Sequence, residues 1–359
     1  MTRTYDLSTL DDPRDALYES VQALVEGGVV SLPLETGAAG CVMATSTELA
    51  DDLVPEAALL IGTVDAAADW LPDLTAVQAR LVTRCWPGPV VFDVPESEWT
   101  LAPALPAAVR RQVAGHGRLR LRVPASAVAE DVLALLPAPL AASHQGQWRE
   151  VATIVLDDAA AEAGEPTVVR LDDGGYQLVT AGAVSEVELN RNAGMEVVFV
   201  CTGNTCRSPM AEAIFRERAA RELGVRADQL PEAGLHVASM GLAASDGWPA
   251  SADAIAVAGE HDLDLTTHSS QPATLERLTR ADLVLTMTQG HRAAILSQVP
   301  ELASTVHVIA PDGRDVSDPI GMGPREYQSC FREIAAAIDQ RMPTILDQMR
   351  GDRGESSPA

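Results

Sequence analysis

Cys201 and Arg207, with five residues between them in the string CTGNTCRSP, are the pair in this chain whose types and spacing could do chemistry on phosphorus. A sulfur anion attacks phosphorus well, and a planar guanidinium grips two phosphate oxygens at once while neutralising charge in the transition state. Thr202, Gly203, Asn204, Thr205, Cys206 and Ser208 complete a short loop that runs into a helix. Such a loop aims successive backbone N–H groups into one concavity, and the helix dipole adds partial positive charge there. A phosphate dianion fits, and negative charge on Cys201 is favoured. The group that leaves phosphorus must also be protonated, which a carboxylic acid held over the phosphate can do. The irregular stretch DVSDPIGMG, Asp315 to Gly323, offers two, Asp315 and Asp318. No zinc or other metal-ligand spacing accompanies these residues, so the expected chemistry uses neither a metal nor a cofactor.

The elements that must position these groups follow from pattern and punctuation. Val197 to Val200 is β-branched and aromatic and reads as a buried strand; Ser208 and Pro209 read as the N-cap and first residue of a helix to Leu223. Beyond it the pattern predicts a strand over His236–Leu242, a helix over Ser251–Glu260 and a short helical piece after His268-Ser269-Ser270. A strand over Ala281–Thr288, a helix from His291, a strand over Val306–Pro311 and a terminal helix over Pro324–Met349 follow. Strands alternating with helices imply a Rossmann-like parallel sheet covered on both faces, with its site at the strand C-termini, where Cys201 lies.

On CTGNTCRSP and this order of elements, the segment from about Met195 to Met349 resembles the low-molecular-weight protein-tyrosine-phosphatase family, which includes bacterial protein-arginine phosphatases and arsenate reductases. The resemblance implies an enzyme of 195–350 that works through a phosphocysteine on Cys201. Its Asp-Pro pair implies that Asp318 is the general acid, with Asp315 the rival in the same loop, and that Ser239 orients Asn204. Tyrosine-specific members carry a bulky aliphatic residue at the position of Thr205 and an aromatic residue after the Asp-Pro pair. Here Thr205 matches the arginine phosphatases, and Ile320 stands in place of the aromatic. A threonine hydroxyl can hydrogen-bond a guanidinium, so phosphoarginine is expected slightly ahead of phosphotyrosine. Arsenate reduction needs further redox cysteines, and only Cys330, on a helix, is at hand. Cys206 is read either as a partner for a reversible disulfide with Cys201 or as a buried loop thiol.

Residues 1–190 are expected to form a separate α/β domain with a mixed sheet, joined by a polar stretch, Val187 to Gly194. The pattern predicts a helix over Asp15–Glu26, strands over Val29–Pro33 and Ala57–Val64, a helix over Leu74–Cys85 and the turn Trp86–Pro89. Strands over Val90–Val94, Leu119–Val123, Thr153–Leu156, Thr167–Leu171 and Tyr176–Thr180 complete it. On SLPLETGAAG, RCWPGPVVF, RLRLRVP, PLAASHQG, PTVV and AGAV, this half resembles the YrdC-like threonylcarbamoyl-AMP synthases. Of the family's P-T-[DE]-T-x-Y-G-L only Pro33, Glu35, Thr36 and Gly40 hold the pattern. The K-x-R nucleotide element has no counterpart, and S-A-N is reduced to Ser143 followed by His144 and Gln145. The expectation is a non-catalytic binding, regulatory or stabilising module in a gene fusion; the alternative is an active synthase serving tRNA modification. His144 reads as a solvated loop residue, and Cys41 and Cys85 as core thiols.

The chain's 359 residues carry 26 basic against 51 acidic side chains, a formal charge of −25, with the acidity concentrated in residues 1–190. That balance argues against nucleic acid or an anionic membrane as partner. No lysine occurs, which excludes Schiff-base or Walker-lysine mechanisms. With no signal peptide, no spanning segment and no disulfide framework among its five cysteines, a cytoplasmic protein acting on a phosphorylated protein is expected. Residues 351–359 are expected to be a disordered tail.

Overall fold

The computed structural model of the protein describes residues 2–35, 38–44, 57–71, 73–95, 105–114, 117–143, 152–157, 165–172 and 175–352. The chain divides into two units, Met1–Asn192 and Ala193–Ala359.

The first unit carries strands β1 (Arg3–Asp6), β2 (Val30–Glu35), β3 (Ala38–Ala44), β4 (Ala58–Leu60), β5 (Val90–Pro95), β6 (Arg118–Arg122), β7 (Leu140–Ser143), β8 (Ile154–Asp157), β9 (Thr167–Asp172) and β10 (Gly175–Thr180). They form one mixed sheet in the order β1-β8-β2-β3-β7-β4-β6-β5-β9-β10. Its helices are α1 (Arg14–Val25), α2 (Val64–Trp70), α3 (Ala76–Cys85), α4 (Ala107–Val113) and α5 (Ala127–Ala134). Leu24, Val30, Leu32, Leu34, Leu60 and Val132 pack into one core between α1, α5 and the sheet. Helix α3 starts on a capping box, in which the Thr75 and Gln78 side chains each accept from the other's backbone N–H. Trp86, edge-on to Phe92, donates from its indole to the Val90 carbonyl at 2.7 Å.

One expectation for this unit is corrected. The strand read over Ala57–Val64 ends at Leu60, because Thr63 caps α2 and turns Val64 into a helix. The polar stretch Val187–Gly194 is mostly a helix, α6 (Glu186–Ala193), whose start is stabilised by Ser185 accepting from the Glu188 N–H. Helices α2, α4 and α5 and strands β1, β3 and β7 were not predicted. Thr36, His144 and Gln145 lie outside the described residues, as does the Cys41 side chain.

The second unit is simpler. Strands β11 (Met195–Cys201), β12 (Leu235–Gly241), β13 (Leu283–Thr286) and β14 (Val306–Val308) are all parallel, in the order β12-β11-β13-β14. Helices α7 (Arg207–Leu223), α8 (Ala252–Gly259), α9 (Leu275–Arg280), α10 (Gln289–Gln298) and α11 (Pro324–Asp352) cover both faces. Strand side chains alternate between faces. Val197, Phe199 and Cys201 therefore pack with residues of α7, α8 and α11, while Val198 and Val200 pack with Leu278 of α9 and Ile295 of α10. Burial on both faces is why MEVVFVC is a nearly unbroken apolar run.

Helix α7 begins at Arg207, two residues before the predicted start, and Cys206 occupies its cap position without a side-chain cap bond. Ser208 is thus not the N-cap; it sits in the first turn with its hydroxyl turned inward. Pro209, also in the first turn, lacks an N–H that would have had no helical partner there anyway. Helix α11 runs through Pro343 to Asp352, so Gly351 and Asp352 of the expected tail are helical, and the rest of that tail lies outside the described residues.

Phe215 of α7 is fully buried against Phe199, with ring centroids 5.5 Å apart. Phe215→Ala should destabilise this unit by about 3–5 kcal/mol, seen as a lower urea midpoint of its unfolding transition. An unchanged midpoint would contradict the packing described.

Candidate active site

The loop from Cys201 to Arg207 joins the C-terminal end of β11 to the first turn of α7. Its unusual backbone is at Asn204, with φ of 54°, and not at Gly203. Asparagine is among the few residues that tolerate this left-handed region. Asn204 is fully buried, and its amide is fully used. Nδ2 donates to Ser208 Oγ and Ser239 Oγ, both at 2.9 Å, and Oδ1 accepts from the Gln271 N–H at 2.9 Å. His268 Nε2 meets the Asn204 carbonyl at 2.7 Å. Ser239 is brought here by register: it pairs with Phe199 in the β11–β12 ladder, two residues before the strand ends.

Cys201 is 2 % exposed at the floor of the loop. Its Sγ accepts from the Asn204 N–H at 3.2 Å and lies 3.0 Å from Ser208 Oγ. Gly241, beside Cys201 in the ladder, is pressed against the loop: a Cβ there would lie 2.6 Å from the Thr202 carbonyl and 2.8 Å from the Asn204 nitrogen. The backbone N–H groups of Leu242 and Ala243 donate to the Cys201 and Thr202 carbonyls. The Ser251 N–H donates to the Thr205 carbonyl at 2.8 Å. Cys206 Sγ is held 3.1 Å from Tyr327 Oη and 3.4 Å from Ser251 Oγ. The described cysteines Cys85, Cys201, Cys206 and Cys330 are all free thiols.

Arg207 is 5 % exposed; Nη1 donates to the Val316 carbonyl at 3.3 Å and Nη2 to Asp318 Oδ2 at 2.5 Å. The loop carrying Asp318 is fixed where it starts, because Arg341 of α11 donates to the Val308 and Ile309 carbonyls at 2.6 Å each. The two carboxylates of that loop have different surroundings. Asp315 accepts from the Gln289 N–H at 2.7 Å, serving the first turn of α10, whereas Asp318 meets Arg207 at the end of the Cys201–Arg207 loop with its side chain 42 % exposed. Ile320 and Met322 just beyond it are exposed. Cys330 is buried in α11, and burial pushes its thiol up to about 12, an environment unsuited to redox relay.

Four residues of this arrangement escaped the sequence reading: His268, Gln271, His291 and Tyr327. His291 carried a signal, since Thr288 three residues earlier marks a helix cap and puts the imidazole at a sheet end. The other three come from loops and a helix distant in sequence. No group of three or more His, Cys, Asp or Glu side chains suited to a metal occurs among the described residues.

Comparison with known proteins bears on this geometry. The family model "Low molecular weight phosphotyrosine protein phosphatase" matches residues 196–354. A protein-arginine-phosphatase of Bacillus subtilis is 37 % identical over 164 residues, covering 44 % of this chain and 99 % of that protein. The chain belongs to the low molecular weight phosphotyrosine protein phosphatase family. Further members similar to it are a protein-arginine-phosphatase of Geobacillus stearothermophilus (37 % identical; 40 % of this chain, 91 % of that protein) and the low molecular weight protein-tyrosine-phosphatase PtpB of Staphylococcus epidermidis (32 %; 41 % and 96 %). Among solved structures, a mutant of YwlE from Bacillus subtilis is 34 % identical, covering 43 % of this chain and 99 % of that one, with a TM-score of 0.38. No helix among the described residues is long and apolar enough to cross a membrane.

Membership makes the loop geometry testable. Gly241→Ala would force the Cys201–Arg207 loop to shift, because its Cβ meets backbone atoms. Turnover of a small phosphate ester should fall about 10²-fold while the fold persists by circular dichroism. Unchanged turnover would show that the loop tolerates the displacement.

Proposed function

We propose that the second unit is a cysteine-dependent phosphoprotein phosphatase that prefers phosphoarginine over phosphotyrosine. The observation that carries the reading is the meeting of Arg207 and Asp318 above a loop whose floor is the Cys201 sulfur. The phosphoryl oxygens take hydrogen bonds from the N–H groups of the loop, Thr202 to Arg207, and from the Arg207 guanidinium. Substrate phosphate competes for Arg207 and draws it off Asp318. Negative charge on Cys201 is held by the Asn204 N–H and the Ser208 hydroxyl, which face the sulfur. Sγ then attacks phosphorus, the bond from phosphorus to the leaving nitrogen or oxygen breaks, and the Asp318 carboxylic acid supplies the proton that this atom needs. In the second half, water attacks the phosphocysteine. Asp318 takes the water's proton, the S–P bond breaks, and inorganic phosphate and the Cys201 thiolate are released.

Asp318 is preferred to Asp315 as the acid because Asp315 is engaged by the α10 backbone. The preference for phosphoarginine rests on Thr205, whose hydroxyl can meet a guanidinium where an aliphatic side chain would pack on a phenol ring. It is also in keeping with two similar proteins being protein-arginine-phosphatases. Four free thiols among the described residues, one of them the proposed nucleophile, suit a reducing compartment such as the cytoplasm.

For the first unit, we read a YrdC-like module without synthase activity. Support comes from charge. The chain has no lysine to bind a triphosphate, and the fully buried Arg122 is already ion-paired with Glu35 and donates from Nε to the Gly88 carbonyl at 3.3 Å. Burial pushes that guanidinium down to about 10. The protein incubated with ATP, threonine and bicarbonate should release no pyrophosphate above a blank; release would establish the synthase instead.

The phosphatase reading is tested by kcat/KM on phosphoarginine and phosphotyrosine peptides with Cys201→Ser as the blank. Wild type should favour phosphoarginine and Thr205→Ile should shift the preference toward phosphotyrosine; equal or better use of phosphotyrosine by wild type would undo the arginine assignment. Asp318→Asn should lower kcat by about 10²–10⁴-fold, and Asp315→Asn much less. The reverse order would move the acid to Asp315.

A further inference from the structure

His291, in the first turn of α10, joins two hydroxyls across the mouth of the phosphate loop. Its Nδ1 lies 3.0 Å from Thr288 Oγ1 and its Nε2 lies 2.9 Å from Thr202 Oγ1. Thr288 Oγ1 accepts from the His291 backbone N–H at 3.1 Å, as the helix cap, and with its second lone pair and its O–H it can either accept from Nδ1 or donate to it. When it donates, Nδ1 is the acceptor and the ring hydrogen sits on Nε2, donating to Thr202 Oγ1. The same Thr202 oxygen accepts from Arg207 Nη2 at 3.5 Å. With both lone pairs of that oxygen engaged, the one thing Thr202 can still do is donate its O–H. Burial and the Arg207 charge hold the imidazole below its ordinary 6.5, against the opposing pull of Asp318 and Asp315, so the ring is neutral at neutral pH as this tautomer requires.

We propose that the ring carries its hydrogen on Nε2 and that His291 is thereby a positioning residue that turns the Thr202 hydroxyl into a side-chain donor for a bound phosphoryl group, added to the loop's backbone N–H groups and Arg207. A threonine at this position without the histidine would be free to spend its proton on any neighbour, or to rotate away. His291 removes that freedom: it occupies one acceptor site of the hydroxyl, and its own far side is pinned by the helix cap. The pairing also ties the mouth of the loop to the start of α10, the same turn whose Gln289 N–H is satisfied by Asp315. The assignment rests on the phosphate-loop reading of residues 201–207 and extends it to a residue on a different element.

The test is the Kd of inorganic phosphate for the full chain, measured by calorimetry, in a double-mutant cycle. Thr202→Val and His291→Ala should each weaken phosphate binding about tenfold, the size of one hydrogen bond to a charged group. The double variant should be no weaker than either single one. Thr202→Ser, which keeps the hydroxyl, and His291→Gln, which places an amide N–H near the position of Nε2, should recover most of the affinity. A merely structural role would leave His291→Gln as weak as His291→Ala and would lower the thermal midpoint of both alike. Additive losses in the cycle, or wild-type affinity in His291→Ala, would overturn the proposal. Because the readout is binding, it separates from the phosphatase reading: a chain that binds phosphate through this pair yet turns over no phosphopeptide above the Cys201→Ser blank would sink that reading alone.

Discussion

The buried amide of Asn204 is the interaction on which the rest of the site depends. A left-handed residue with a side chain is costly, and a buried amide is costlier still unless each of its polar atoms is matched. Here all are matched: Ser208, Ser239 and Gln271 take the side chain, and His268 takes the backbone carbonyl. Those four partners come from α7, from β12 and from the segment leading to α9. The loop conformation is thus specified by three separate parts of the chain, and it directs the Asn204 N–H at the Cys201 sulfur. Removing any one partner leaves a buried donor or acceptor unmatched, so the loop and its supports stand or fall together.

The sheet supplies the other half of the arrangement. Four parallel strands end on one side, so Cys201 at the end of β11, Gly241 at the end of β12 and the segments that follow β13 and β14 converge there. β14 is short, but Arg341 from the last helix secures its C-terminal carbonyls and fixes the departure point of the loop that carries Asp318. The long helix α11 therefore acts on the site in two places, through Arg341 and through Tyr327, whose hydroxyl meets Cys206 and Ser251. Burial and the Cys206 contact push that phenol up to about 12, so Tyr327 serves as a neutral hydrogen-bonding group.

Much of the second unit was legible because its signals are local. The apolar run into CTGNTCRSP, the alternation of strand and helix, and the Asp-Pro pair each sit within a few consecutive residues, and the elements appear within two or three residues of where pattern places them. The helix start was misread for a physical reason: Ser208 and Pro209 look like a cap, but the first turn of α7 is organised around the loop and not around a capping hydroxyl. His268, Gln271 and Tyr327 were hidden because nothing local distinguishes a histidine, glutamine or tyrosine that meets the loop only after folding. In the first unit strands β1, β3 and β7 were missed. β3 and β7 are poor in β-branched residues, and each gains its stability from neighbours in a sheet whose order bears little relation to the chain's.

The account stands or falls on the covalent role of Cys201. The direct measurement is rapid acid quenching of Asp318→Ala during turnover of an activated aryl phosphate, whose leaving group departs as an anion and needs no acid, followed by mass spectrometry of the peptide that contains residue 201. The account predicts that this peptide gains the mass of one phosphoryl group on Cys201, that the adduct accumulates because its hydrolysis is slowed, and that Cys201→Ser turns over no substrate. Full turnover by Cys201→Ser, or a phosphoryl group found on another side chain, would contradict it.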